Sequence, residues 1–133
     1  MIHKFTATDA ENIYEKACRV VNSDKWFDIL NGINAHIYNG YMDFMKYGGG
    51  KFQPETRLIT YTHSAMKKLN LEMTDINIFM AANAMQSFVM SYYRSIPFPG
   101  APDYNLYKSY DGAAHIMNMI VTYDKEGWEA INK

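Results

Sequence analysis

"TDINIFMAANAMQSFVMSYYR", residues 74–94, carries apolar residues at the spacings a helix buries and at most of the others. Thr74 is an N-cap residue, and Ile78, Ala81, Ala82, Met85, Phe88, Val89 and Tyr92 share one face of a predicted helix over about 75–95. Ile76, Phe79 and Met80 widen that face around most of the first turns. Only a thin line through Asn83, Ser87 and Arg94 is polar. A helix apolar on nearly all sides stands at the centre of a bundle or is covered by a second subunit. A homo-oligomer is therefore expected, by preference a dimer, because two-fold assemblies are the commonest closed ones.

Upstream, Thr8 and Glu11 have the spacing of a capping box, and Asp9 adds negative charge to the first turn. Ile13, Tyr14, Ala17, Cys18 and Val21 then recur with a helical period, predicting a helix over 9–22 with Cys18 as a small buried hydrophobe. Ser23 or Asp24 caps a second helix from about 25, with Trp26, Leu30, Ile33 and Ile37 on one face. Gly32 weakens it and Asn39-Gly40 reads as a stop. Tyr41, Phe44 and Met45 resume the spacing in a short separate helix or beyond a kink.

Pro54 and Glu55 suit the first turn of a helix over 54–69. Leu58, Thr62, Ala65, Met66 and Leu69 face inward, Arg57, Tyr61, Ser64 and Lys68 outward, with His63 and Lys67 beside them. The same stretch contains "RLITYTH", residues 57–63, which is β-branched and aromatic enough for a short strand near 56–63. Pro97, Pro99 and Pro102 forbid helix through "IPFPGAP", and the loop continues through "DYNLYKSY". Asp111 caps a last helix over about 112–131, with Ile116, Met117, Ile120, Tyr123, Trp128 and Ile131 inward and Gly127 a weak point. No repeat and no linker divides the chain. The expectation is one all-α domain over 1–133, a compact bundle of about five helices, with an α+β domain as the alternative if 56–63 is a strand.

The composition closes off several functions. With 133 residues and 48% hydrophobic content the chain can bury a real core. Thirteen basic and 14 acidic residues leave a net charge of −1, which steers the whole molecule toward neither nucleic acid nor anionic lipid. One cysteine excludes an intramolecular disulfide framework and suits a reducing cytoplasm. "MIHKFTATD" lacks the apolar core of a secretion signal, and residues 76–93 are too interrupted by polar side chains for a membrane span. Eleven Tyr and ten Met are unusual in so short a chain, and both types serve cores and adaptable interfaces.

"YGGGKFQPE", residues 47–55, invites comparison with a phosphate-binding loop. Met45 stands where a Walker A motif needs its first Gly, Phe52 replaces the Mg²⁺-binding hydroxyl, and the preceding segment reads as helix. Glycines beside a helix N-terminus can still present N–H groups to an anion. Residues 44–70 also hold Lys46, Lys51, Arg57, Lys67 and Lys68 against Glu55 alone. Arg57 and Lys68 lie eleven residues apart, on one face about 16 Å long, and Lys51 sits near its N-terminal end. That segment, with Tyr61, is the candidate nucleic-acid or nucleotide surface. The proline-tyrosine loop is the candidate protein surface, carrying Arg94, Phe98, Tyr104 and Tyr107, because aromatic and Arg side chains dominate interface hot spots.

Catalytic and metal signatures are missing from the sequence. His3, His36, His63 and His115 are far apart, with no HExxH and no CxxC, so neither a metal nor a cofactor is implied. Asp111 and His115 are spaced i,i+4, which fits a cap and a local ion pair. "KKLNLEMTDINIFMAANAM", residues 67–85, resembles the middle of ribbon-helix-helix DNA-binding proteins, with "RLITYT" as the strand and Thr74 as the second cap. The likeness covers under a quarter of the chain, Asn70 replaces the usual Gly and the first helix would be too short, so the family is not assigned.

Three functional classes follow, in order. The first is a non-enzymatic interaction protein, an inhibitor or adaptor, in the small, motif-free style of phage and mobile-element accessory proteins. The second is a nucleic-acid or nucleotide binder using the basic 46–68 segment. The third is an enzyme with an unfamiliar site, for which Asp111, His115 and His63 are the residues to examine.

Overall fold

Residues 4–20, 23–46, 54–93 and 105–127 are described in the computed structural model, and they are helical almost throughout. Helix α1 (Ala7–Val20) starts on a reciprocal cap: the Asp9 N–H donates to Thr6 Oγ1 at 3.2 Å and the Thr6 N–H to Asp9 Oδ2 at 2.9 Å. The box therefore sits two residues before the Thr8–Glu11 pair. Just upstream, the Phe5 N–H and C=O are both bound by the Asn118 side-chain amide, at 2.7 and 2.9 Å. Ala10 and Ala17 are the buried positions of α1, and Cys18, one step around the helix, is exposed rather than in the core.

Helix α2 (Ser23–Lys46) runs unbroken through Gly32 and Gly40, where a weak point and a stop were expected. Both glycines are contact points, Gly40 for the next helix, α3 (Pro54–Lys68), and Gly32 for the residue just after it. A Cβ on Gly40 would lie 2.8 Å from the Tyr61 ring, and one on Gly32 3.2 Å from Leu69. The glycines give up helix propensity for this close approach.

The strand alternative for 56–63 fails, since the whole segment is helical in α3. Its β-branched threonines are accommodated by back-bonding: Thr60 donates to Thr56 O at 3.1 Å and Thr62 to Leu58 O at 2.7 Å. Leu58, Ile59, Thr62, Ala65 and Met66 are all buried, a helical period. The helix ends in a Schellman arrangement, with Leu71 N–H donating to Met66 O at 2.9 Å and Asn70 N–H to Lys67 O at 3.1 Å. Asn70 takes the left-handed conformation, φ 56°, that closes this turn.

Helix α4 (Asp75–Phe88) begins at Thr74, whose hydroxyl accepts from the Asn77 N–H at 3.2 Å. It continues into a π-helical turn, Val89–Tyr93. Every residue from Ile78 to Val89 except Asn83 and Ser87 is buried. Helices α1, α2, α3 and α5 (Tyr110–Glu126) all pack on α4, so the central position expected of it is correct. One chain supplies the whole cover, which removes the packing reason for expecting a second copy. A 3₁₀ turn, Leu106–Lys108, precedes α5, and Gly112 lets them meet: a Cβ there would lie 2.4 Å from the Leu106 carbonyl oxygen. The described residues thus form an all-α bundle of five α-helices without a strand. None of these helices is long and apolar enough to cross a membrane.

Candidate functional site

Helix α3 presents two different sides. Its line through Arg57, Tyr61, Ser64 and Lys68, expected to face outward, runs along antiparallel α2, with Ser64 and Lys68 exposed and Arg57 and Tyr61 half-buried. The Arg57 guanidinium sits over the Phe44 ring at 5.2 Å, Tyr61 meets Gly40, and Ser64 Oγ is 3.1 Å from His36 Nε2. Burial first, and Lys68 second, hold the His36 pKa below its ordinary value. Lys67 turns the other way, 3.6 Å from Asp124 on α5. His63 Nε2 lies 2.9 Å from the same carboxylate oxygen, and the hydrogen bond from His63 is the main cause of the lowered Asp124 pKa. The basic side chains of α3 are therefore divided between two seams. Lys51, Arg94, Phe98 and Tyr104 lie outside the described residues.

Glu55, at the start of α3, is a hub. It accepts from the Tyr107 hydroxyl through Oε2 and stands 3.2 Å from His115 Nε2 through Oε1. Burial pushes the Glu55 pKa up, but the bonds from His115 and Tyr107 outweigh it and hold the carboxyl below the usual range. The bond to Glu55 raises the His115 pKa against the effect of its own burial. Tyr107 itself is buried, 1% exposed. Gln86 on α4 clamps the same turn, donating to Tyr107 O at 2.8 Å and Ser109 O at 3.1 Å. His115 thus pairs with Glu55 and not with Asp111, which is exposed. The cluster fastens the turn before α5 to α3 and α4.

Helix α2, like α1 with its exposed Tyr14 and Val20, packs on two principal helix neighbours. Its principal neighbours are α3 and α4, and Ile33, Ile37 and Tyr41 are buried against them. On its outer side Phe27 is 64% exposed, Tyr38 49% and Met42 41%. With Asn31 and Asn34 they follow the spacing i, i+4, i+7, i+11, i+15, one helix face about 22 Å long. The fourteen residues 29–42 contain no Asp, Glu, Lys or Arg. Exposed Asp28 and Asp43 bracket this uncharged run. An apolar, charge-depleted centre with a charged rim is the anatomy of a protein interface.

A cleft of about 450 Å³ opens elsewhere, between α1, α4 and α5. Tyr14, Phe79 and Tyr110 supply its aromatic walls, with Tyr14 between the other two at ring distances of 5.9 and 6.3 Å. Its polar lining on α4 comes from Asn83, Gln86 and Ser87. Among the described residues no three His, Cys, Asp or Glu side chains come together to hold a metal ion.

Phe27, Tyr38 and Met42 are not singled out by the sequence pattern, and the expected stop at Asn39-Gly40 separates Met42 from the other two. The uncharged run 29–42 is the signal that would have found them. The Glu55–Tyr107–His115 cluster joins positions 52 to 60 residues apart and leaves no local signal. The chain matches no protein-family model, and comparison with curated proteins and with solved structures finds no similar chain.

Proposed function

We propose that this is a cytoplasmic, non-enzymatic interaction protein of inhibitor or adaptor type that docks a protein partner on the outer face of α2. The observation that carries the reading is the line Phe27, Tyr38 and Met42, exposed on a helix whose fourteen central residues bear no charge. The occupant it suits is an amphipathic helix of another protein, with apolar side chains along about 22 Å and basic residues beside Asp28. A free, exposed Cys18 is compatible with a reducing compartment. The basic segment gives the nucleic-acid reading less support, because Lys67 is turned to Asp124 while Arg57 is over Phe44.

A photo-crosslinking amino acid at position 38, introduced in the native host, tests this reading. A control at position 125, exposed on α5, reports non-specific capture. The expected result is an adduct specific to position 38, weakened by Asp28→Lys, and mapping to a basic helix of the partner. Crosslinks between two copies of the chain would replace this reading with a homodimer through the same face. Equal capture from both positions would overturn it.

A further inference from the structure

The one polar line on the central helix opens into the cleft between α1, α4 and α5. Asn83, Gln86 and Ser87 break an otherwise buried apolar run, and all three line this space. Gln86 is used by the fold to hold the turn before α5 and Ser87 is exposed, while Asn83 is half-buried at the cleft wall. Gln86 is the best defined. Its amide nitrogen is committed to two backbone carbonyls, at 2.8 and 3.1 Å, which fixes the side-chain orientation. The carbonyl end, Oε1, is then left as an acceptor. Asn83, one turn earlier and half-buried, adds both a donor and an acceptor.

We propose that this cleft binds a planar nitrogen heterocycle of nucleobase type, carried on a nucleoside or nucleotide. The volume, about 450 Å³, is within the range of small-molecule sites. The aromatic walls suit a flat ring, since bases stack on Tyr and Phe regardless of their sequence. An amide that offers donor and acceptor together matches the edge of a base, as Asn and Gln do with adenine. Among the described residues that line the cleft none is acidic, and Lys108 is one of them. A phosphate on the sugar would meet it with a charge-assisted contact. The site shares no residue with the outer face of α2, so the two proposals stand or fall separately.

The test is a ¹H–¹⁵N NMR titration of the intact chain with adenosine, guanosine, cytidine, uridine and adenosine monophosphate, with indole as a carbon-rich ring of similar size. At least one nucleoside is expected to shift the Asn83 and Gln86 side-chain amides together with backbone signals of 107–113. Asn83→Ala should weaken that binding about tenfold. Adenosine monophosphate should bind more tightly than adenosine, with a salt dependence removed by Lys108→Met. Ser87→Ala, at an exposed position, is the second variant if Asn83→Ala disturbs the helix, and should weaken binding by a smaller factor. No shifts with any nucleoside at millimolar concentration would overturn the proposal. So would indole binding as well as the nucleosides, or nucleoside binding unchanged in both variants.

Discussion

Helices α4 and α2 are both rich in apolar residues, and they use them in opposite ways. Helix α4 is apolar nearly all round and is covered by four neighbours from its own chain. Helix α2 is less apolar along its length, yet it is the one that leaves Phe27, Tyr38 and Met42 in solvent. Hydrophobic content alone therefore does not tell which helix leaves apolar side chains in solvent. What separates them is the number of packed sides: α4 is surrounded, while α2 lies against α3 and α4 and has a third side that no other described helix packs closely against. An interface is marked by apolar surface that the fold has not used, not by the most apolar segment.

The contrast breaks most sharply inside α4. Met85 is wholly buried, so Met85→Ala should cost about 2–5 kcal/mol through lost burial and the cavity left behind. Chemical denaturation reads that loss as a lower midpoint with an unchanged slope.

The inner side of α2 comes next. In an exposed helix Gly→Ala gains about 1 kcal/mol. At Gly40 the added methyl would meet the Tyr61 ring at 2.8 to 3.0 Å, and the overpacking should reverse the sign to a net loss of about 1–2 kcal/mol. In a Tyr61→Ala background the same change should become stabilising. If Gly40→Ala stabilises the wild-type protein, the close approach of α2 and α3 is not required.

A smaller effect tests the seam between α3 and α5. The Glu55 pKa is lowered in the fold, so its contribution is present above the ordinary carboxylate value and fades as pH falls through the lowered one. The His115 pKa is raised, so its contribution is complete below the ordinary imidazole value and fades as pH rises through the raised one. The pair therefore stabilises most at about pH 5 to 6. His36 has the opposite sign: its lowered pKa costs stability as pH falls below about 6.5. Glu55→Gln should destabilise by about 1 kcal/mol near pH 5.5, a figure kept low because the pair is partly solvated. Since His36 is common to both proteins, the difference between them should shrink toward pH 8.5 and below pH 4. A difference independent of pH would show that Glu55 acts only by filling space.

The smallest inner effect belongs to Gly32. A Cβ there would meet the end of the exposed Leu69 side chain at 3.2 Å, which can move aside. Gly32→Ala should therefore be stabilising by a few tenths of a kcal/mol, visible as a slightly raised melting temperature.

Much of the fold was legible locally. The period of residues 75–89, the Thr74 cap and the Pro54-Glu55 start all read correctly because each depends on neighbours within a turn or two. The unbroken α2 was not legible, since Gly32 and Gly40 look like breakers until Leu69 and Tyr61 are placed against them. The strand-like composition of 57–63 misled for a related reason: burial of Leu58, Ile59 and Thr62 in a helical arrangement outweighs β propensity. Of the cleft, the Asn83–Ser87 line was visible in the sequence, but its meaning depended on Tyr14 and Tyr110, far away in the chain.

Helices α4 and α2 use their apolar residues in opposite ways only if the outer apolar line of α2 contributes nothing to the fold. Thermal unfolding of the triple variant Phe27→Ser, Tyr38→Ser, Met42→Ser measures that contribution directly. These side chains are exposed, so the expected loss is at most about 1 kcal/mol, a shift of about 4 °C or less in the midpoint. A loss of 2 kcal/mol or more, comparable with Met85→Ala, would mean that the face is part of the protein's own stability and would contradict its assignment to a partner.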